Sequence, residues 1–198
     1  MKKIYFAMVF IALTLASYAD EVVGHYSMSY FGKENLKIKA NKPEDNAFTF
    51  YIQIAGEYED DEVYMSVKSQ YLDSFRNSLI TIRDKYVEWS KVAVDNKITN
   101  MSKEFPCQLS NISYAWYSSQ WWFSYTTNIT PLFIVMEDGQ KIALAYKEVV
   151  SRNNEYVDQK AYLVFKTVAE IEALIKATDP TVVYEYYKKQ SSKQDLFQ

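Results

Sequence analysis

Apolar residues between positions 69 and 97 recur every three or four residues. That spacing places seven side chains on one face of an α-helix, namely Leu72, Phe75, Leu79, Ile82, Tyr86, Trp89 and Ala93. Charged residues such as Asp73, Arg76 and Lys91 fall on the opposite face. The pattern predicts a helix over 69–97, roughly 40 Å long, with Ser69 as its N-cap and its apolar face in the core.

Four segments before this helix show the alternation of a β-strand. They cover residues 23–31, 36–40, 48–55 and 63–67, where apolar and polar side chains alternate or strand-forming residues predominate. Loop-forming residues separate them at 41–46 and 56–61. The sequence therefore predicts four strands ahead of the long helix.

Strands are also predicted after the helix, beyond a less regular stretch at 98–110 that contains Pro106. They cover residues 112–117, 120–125, 131–136, 141–146 and 156–165. The Asp138-Gly139 dipeptide between the third and fourth of them is a strong signal for a hairpin. Pro106 argues against a central strand around its position, because proline has no N–H to donate.

Two shorter helices are predicted at the C-terminal end. Thr167 and Glu170 have the spacing of a capping box, and apolar residues follow at helical spacing to position 175. Asp179 before Pro180 combines a cap with a proline suited to the first helical position, which predicts a last helix over 181–190. We expect residues 191–198 to form a frayed tail.

These elements indicate an α+β fold in which antiparallel sheet(s) pack on one long central helix (about 69–97), with a shorter C-terminal helix pair. Residues 63–69 and 161–167 align, since each is a strand ending in lysine followed by a hydroxyl residue and a helix. A duplicated strands-then-helix module would explain the likeness. So would chance, because strand-to-helix joints share the same capping chemistry.

The first nineteen residues have the organisation of a signal peptide. Lys2 and Lys3 precede an apolar run at 4–16, and Ser17 and Ala19 occupy the small-residue positions of a cleavage site before Asp20. The run is shorter than the roughly 20 residues of a membrane span, although an uncleaved anchor is the alternative. We therefore predict a signal peptide (1–19), a single domain (20–190) and export to the periplasm or the exterior. Since no cysteine follows the run, the lipoprotein route is not expected.

Charge argues against some partners. The full chain has 22 basic and 25 acidic residues, and cleavage would remove two lysines, so its formal net charge would change from −3 to −5. No basic cluster is present in the sequence, which argues against binding to nucleic acid and to anionic membranes. We expect no insertion into a membrane after cleavage.

The single cysteine and the Asn-x-Ser/Thr triplets leave two questions open. Cys107 cannot form an intrachain disulfide; we interpret it as a small buried residue, with an intermolecular disulfide as the alternative. Asn100, Asn111 and Asn128 begin sequons. These would matter in a eukaryotic secretory pathway, whereas in a bacterial chain rich in asparagine and serine they arise by chance, which we favour.

No catalytic, metal-binding or cofactor-binding motif is found in the sequence. His25 is the only histidine, and a Cys–His pair with Cys107 has no supporting motif. One histidine and one cysteine make a zinc site unexpected. The acidic run 57–62 lacks the spacing of a calcium loop and is typical of a solvated turn. We predict no cofactor, and neither a phosphate-binding loop nor a nucleophile elbow is present.

The most unusual stretch is aromatic. Seven of the twelve residues at 114–125 are aromatic, and we predict six of them as ligand-binding candidates: Trp116, Tyr117, Trp121, Trp122, Phe123 and Tyr125. Neighbouring strand residues face opposite ways, so Trp121 and Trp122 diverge and one face could offer its rings to a ligand. The alternative is a sheet that is covered on both faces.

Two functions follow from these observations. The first is an exported, non-catalytic binding or structural protein that recognises a glycan or a protein through the aromatic face. The second is an exported hydrolase that uses carboxylates, for example on glycans. Two close carboxylates in contrasting environments would favour the hydrolase, whereas an aromatic face without such a pair would favour binding.

Overall fold

A computed structural model describes residues 20–195, which form eleven strands and three α-helices. The strands are β1 (Glu21–Met28), β2 (Lys33–Ala40), β3 (Thr49–Ile54), β4 (Glu62–Lys68), β5 (Met101–Glu104), β6 (Leu109–Tyr117), β7 (Trp121–Phe123), β8 (Thr127–Ile129), β9 (Leu132–Val135), β10 (Lys141–Ser151) and β11 (Asn154–Phe165). The helices are α1 (Leu72–Asp95), α2 (Val168–Ala177) and α3 (Pro180–Asp195). The chain is therefore an α+β protein. The proposed signal peptide, residues 1–19, lies outside the described residues.

The strands form two antiparallel sheets. The large sheet has the order β1-β2-β3-β4-β6-β7, with β8 also paired to β6. The small sheet has the order β11-β10-β9-β5. Isolated bridges join the two sheets at Ala55–Tyr162 and at Ser124–Ser151, so each sheet continues into the other at two places.

The long helix is present, and its predicted apolar face is inside. Leu72, Phe75, Leu79, Ile82, Tyr86 and Ala93 are buried, while Trp89 is half-buried and stacks on Phe105 with ring centroids 5.2 Å apart. The core that receives this face contains side chains from both sheets and from all three helices. Apolar burial on this scale is the main stabilising contribution to such a fold.

The start of α1 differs from the prediction. Residues 69–71 form a 3₁₀ turn, and Tyr71 is the N-cap. Ser69 does not cap the helix, because its Oγ accepts a hydrogen bond from the Phe48 N–H at 3.2 Å. A donor from the residue just before β3 therefore takes the oxygen that the local sequence would have assigned to the first helical turn.

Thr167 confirms the predicted capping box of α2. Its hydroxyl accepts from the Glu170 N–H, and the Glu170 carboxylate accepts from the Thr167 N–H. The two strand-to-helix connections therefore differ, because Thr167 caps its helix and Ser69 does not. The duplicated module stays a prediction. Asp179 accepts two hydrogen bonds from Thr181 at the start of α3. That helix continues to Asp195, past the predicted end at 190.

Among the strands, the largest differences lie in the second half of the chain. The stretch predicted to be irregular contains β5, an edge strand of the small sheet, and β8 was not predicted. The hairpin at Asp138-Gly139 is present between β9 and β10, with Gly139 at φ +80°, a conformation that suits glycine. None of the helices within residues 20–195 is both long and apolar enough to cross a membrane.

Candidate functional site: an aromatic pocket on the large sheet

The strand register sorts the aromatic stretch onto two faces. Tyr117 lies opposite Trp121, and Trp116 lies opposite Trp122, in the β6–β7 pair. Trp116 is 1% exposed and belongs to the core, whereas Trp121 is 42% exposed. Trp122 is half-buried on the core side. The two adjacent tryptophans therefore diverge, because side chains alternate along a strand.

A pocket of about 320 Å³ lies on the outer face of the large sheet. Its lining comes from five strands and the residue before β1: Asp20, Lys39, Tyr51, Tyr64, Ala115, Trp121 and Phe123. We call this set the outer-face pocket. Its volume is at the lower end of the range typical of small-molecule sites.

The cross-strand register brings these residues together. Lys39 lies opposite Tyr51 in the β2–β3 pair, and Tyr64 lies opposite Ala115 in the β4–β6 pair. Phe123 is the partner of Ala115 on its other side. Strands lie about 4.8 Å apart, so the small Ala115 side chain leaves a depression between the rings of its two partners.

The rings of four lining residues form the walls of the pocket: Tyr51, Tyr64, Trp121 and Phe123. Trp121 lies 6.1 Å from Tyr64 between ring centroids, and Tyr117 supports Trp121 from outside at 5.5 Å. Trp121 and Phe123 keep about two fifths of their area exposed, while Tyr64 is almost fully buried. The pocket therefore offers flat apolar surfaces that are reachable from solvent.

A lysine and two carboxylates provide the charge. Lys39 Nζ lies 4.6 Å from the centroid of the Tyr64 ring, in a cation–π contact, and 3.8 Å from Glu62 Oε1. The Tyr64 hydroxyl donates to that same Glu62 oxygen at 2.8 Å. Glu62 is thus engaged by two neighbours at the margin of the pocket.

Asp20 and Lys39 have unused hydrogen-bonding capacity. Within residues 20–195, neither side chain forms a hydrogen bond; Lys39 makes the cation–π contact and the longer ion pair, and its charge also acts on Asp20. A carboxylate accepts hydrogen bonds and an ammonium donates them. Their donors and acceptors are therefore open to a ligand.

The pocket changes the ionisation of its members. Partial burial raises the pKa of the Asp20 carboxyl, and the charge of Lys39 opposes that shift. Burial raises the pKa of Tyr51, with a further contribution from the charge of Asp20. Burial and the contact with Glu62 also raise the pKa of Tyr64. Both tyrosines are consequently neutral hydroxyls at pH 7.

The structure divides the six predicted candidates. Trp121 and Phe123 line the outer-face pocket, and Tyr117 contacts Trp121. Trp116 and Trp122 point toward the core and do not line the pocket. Tyr125 is 71% exposed but lies outside the lining, and its hydroxyl donates to the Arg152 carbonyl at 3.3 Å.

Sequence reasoning did not find Asp20, Lys39, Tyr51 and Tyr64. Lys39 and Tyr51 could have been identified as outward positions, because they alternate with the buried Ile38, Phe50 and Ile52. Only the strand order, however, brings them beside Trp121.

Other candidate chemistry is dispersed. His25 on β1 is exposed and lies opposite Lys37 of β2. Cys107 is half-buried, its Sγ lies 3.6 Å from the Ser78 carbonyl oxygen, and burial raises the pKa of its thiol to about 11. Within the described range, no group of three histidine, cysteine or acidic residues could hold a metal ion.

Comparison with protein-family models, curated proteins and solved structures finds no match for this chain. The function must therefore be argued from the outer-face pocket itself.

Proposed function

We propose that this protein is exported and acts as a non-catalytic binding protein that takes a saccharide into the outer-face pocket. The observation that carries the proposal is the combination of exposed rings with a carboxylate and an ammonium that form no hydrogen bond within the described residues, 20–195. Export is supported by the basic residues, the apolar run and the Ser17-x-Ala19 pattern at the start of the sequence.

A sugar ring has the matching chemistry. One face of a pyranose carries C–H groups that pack on an aromatic ring, and Trp121 and Phe123 offer such rings. Each sugar hydroxyl both donates and accepts, so neighbouring hydroxyls can donate to Asp20 and accept from Lys39. Hydrogen bonds to charged groups contribute about 1.5–3 kcal/mol, which would fix the sugar's orientation.

A carboxylate hydrolase has less support. Glycoside hydrolysis generally uses two carboxyl groups on opposite sides of the bond that breaks. Asp20 is the one carboxylate in the lining given above, and the nearby Glu62 accepts from the Tyr64 hydroxyl. This arrangement favours binding without turnover.

An array of immobilised oligosaccharides tests the proposal. We expect Trp121→Ala and Phe123→Ala each to weaken binding by about tenfold, since loss of a stacked ring costs on the order of 1 kcal/mol. Tyr156→Ala is the matched control, because Tyr156 is 89% exposed and lies outside the pocket. Each variant is checked for an unchanged thermal unfolding midpoint.

Two outcomes would count against the proposal. Binding that survives both pocket substitutions would place the saccharide elsewhere. Release of shortened oligosaccharides by the wild-type protein, abolished in Asp20→Asn, would instead support the hydrolase.

A further inference from the structure

We infer that the α-amino group of Asp20, set free by cleavage after Ala19, is a ligand-binding group of the outer-face pocket. This assignment deepens the proposed function, because it rests on the saccharide site and on the proposed cleavage. It predicts that only the processed chain has the complete site.

The backbone next to Asp20 is fixed by strand pairing. Glu21 is opposite Ala40, and Val22 is opposite Lys39, in the β1–β2 pair. Asp20 directly precedes this pair, and its side chain lines the pocket. The backbone nitrogen of Asp20 and the carboxyl carbon of its side chain are three bonds apart, hence within about 4 Å of each other. A free amino group at Asp20 therefore lies at the edge of the pocket.

The charges around that position leave room for a second cation. The neighbouring ionisable groups are the carboxylates of Asp20 and Glu62, the ammonium of Lys39 and the neutral hydroxyls of Tyr51, Tyr64 and Tyr187. Glu21 points away from this set, since its carboxylate accepts from the Tyr186 hydroxyl of α3 at 3.0 Å. One ammonium thus faces two carboxylates, and a charged α-amino group balances them.

Cleavage changes the chemistry of this nitrogen. In the uncleaved chain it is an uncharged amide with one N–H. After cleavage it is an ammonium with three donors, since an α-amino group has a pKa of about 7.7–8.0. Cleavage before Asp20 therefore adds a charged donor at the edge of the pocket.

The consequence is a link between processing and binding. A sugar hydroxyl or a sugar carboxylate can accept from the new ammonium and from Lys39, while another hydroxyl donates to Asp20. The uncleaved chain lacks one of these donors. We therefore expect the protein to bind the saccharide more tightly once the segment before Asp20 has been removed.

Three proteins that differ only at the N-terminus test this assignment. One begins at Asp20, released by a protease that leaves no extra residue; the second has one additional glycine; the third is Nα-acetylated. Equal unfolding midpoints establish that all three fold alike. The glycine displaces the ammonium, and acetylation removes it.

Iodide is an anionic probe that requires no knowledge of the ligand. We expect iodide to quench Trp121 fluorescence about twofold more strongly in the protein beginning at Asp20 than in the acetylated one, because a nearby cation attracts the anion. Neutral acrylamide should quench both equally. Subtracting the quenching of the matching Trp121→Phe proteins removes the contribution of the other tryptophans.

The saccharide that gives the strongest array signal provides the second readout. We expect it to bind at least about fivefold more tightly to the protein beginning at Asp20 than to the other two, because they lack the placed charge-assisted hydrogen bond. Equal affinities overturn the assignment, even if Trp121→Ala still weakens binding and the saccharide site stands. If no saccharide binds any of the three proteins, the proposed function fails and the iodide experiment is the remaining test. Equal iodide quenching of Trp121 in the free and acetylated proteins then overturns the assignment.

Discussion

A Cβ atom on Gly56 would lie 2.4 Å from the Cβ of Asp61. Asp61 cannot easily move away, because its Oδ2 accepts from the Tyr58 N–H at 2.8 Å and from Gln159 Nε2 at 3.0 Å. Gln159 is buried on β11, so these contacts attach the acidic turn to the small sheet. The acidic run is thus a turn leading into β4 that is held to the small sheet by Asp61 and also by Glu57, whose carboxylate accepts from Lys160 Nζ.

Gly56→Ala should therefore destabilise the fold by about 1–3 kcal/mol, the usual cost of forcing an extra methyl group into a packed site. Gly24→Ala is the control, because its Cβ would meet Ala177 at an ordinary 3.6 Å. Urea unfolding followed by circular dichroism compares the two. Equal midpoints would show that the turn adapts at little cost.

The long helix α1 is stabilised by one buried face and by its C-terminal geometry. Leu79 has no exposed area, while Lys91 is on the solvent side. At the end, the Lys97 N–H donates to Val94 and the Ile98 N–H donates to Ala93, which is the Schellman pattern. Lys97 has φ +54°, a left-handed conformation that is unfavourable for a residue with a Cβ.

Substitutions on the two faces of α1 should differ clearly. We expect Leu79→Ala to cost about 2–5 kcal/mol and Lys91→Ala to change stability by less than about 0.5 kcal/mol. Denaturant midpoints of the two variants provide the comparison. Similar midpoints would contradict the burial of this face.

Lys97→Gly should raise stability by about 0.5–1 kcal/mol, since glycine adopts positive φ without strain. The gain is limited by the greater freedom of glycine in the unfolded chain. Lys91→Gly within the helix is the opposite control, with an expected loss of about 1 kcal/mol. Thermal unfolding of both variants shows whether each substitution raises or lowers stability. A loss of stability in both would argue against relief of strain at position 97.

Across the whole molecule, Glu170 connects segments that are far apart in sequence. Its carboxylate accepts from the Ser29 N–H at 2.7 Å, the Lys166 N–H at 2.7 Å and the Thr167 N–H at 3.0 Å. Burial acts to raise the pKa of this carboxyl, but the hydrogen bonds from Ser29, Lys166 and Thr167 outweigh it, and the pKa lies below its ordinary value of 4.5. Glu170 therefore ties the end of β1 to the start of α2.

This arrangement predicts a pH dependence of stability. Because the folded pKa of Glu170 is below the unfolded pKa, its contribution is present above about pH 4.5 and is lost as pH falls through the folded value. Glu170→Gln should cost about 2 kcal/mol at pH 7, and the difference from wild type should shrink toward pH 3. Unfolding free energies measured at both pH values test this; a constant difference would rule out the ionised carboxylate as the cause.

Local patterns determined much of the architecture. The spacing from Leu72 to Ala93 specified α1, and Thr167 with Glu170 specified the start of α2, because helical periodicity and capping involve residues only a few positions apart. Alternation along β6 and β7 likewise placed Trp121 and Trp122 on opposite faces. At Ser69, the same local reasoning was wrong, since the N–H of Phe48, the residue just before β3, donates to its hydroxyl oxygen.

The sequence by itself therefore determined most of the elements, the inward face of α1 and the divergence of the two tryptophans, all of which follow from short-range backbone geometry. Only the tertiary structure decided the strand order, which places Asp20, Lys39 and Tyr64 beside Trp121 and buries Trp116 beneath them. The physical reason is that strand pairing joins residues distant in sequence through backbone hydrogen bonds, and these are the same for nearly every residue type. No local pattern of side chains specifies which strands become neighbours.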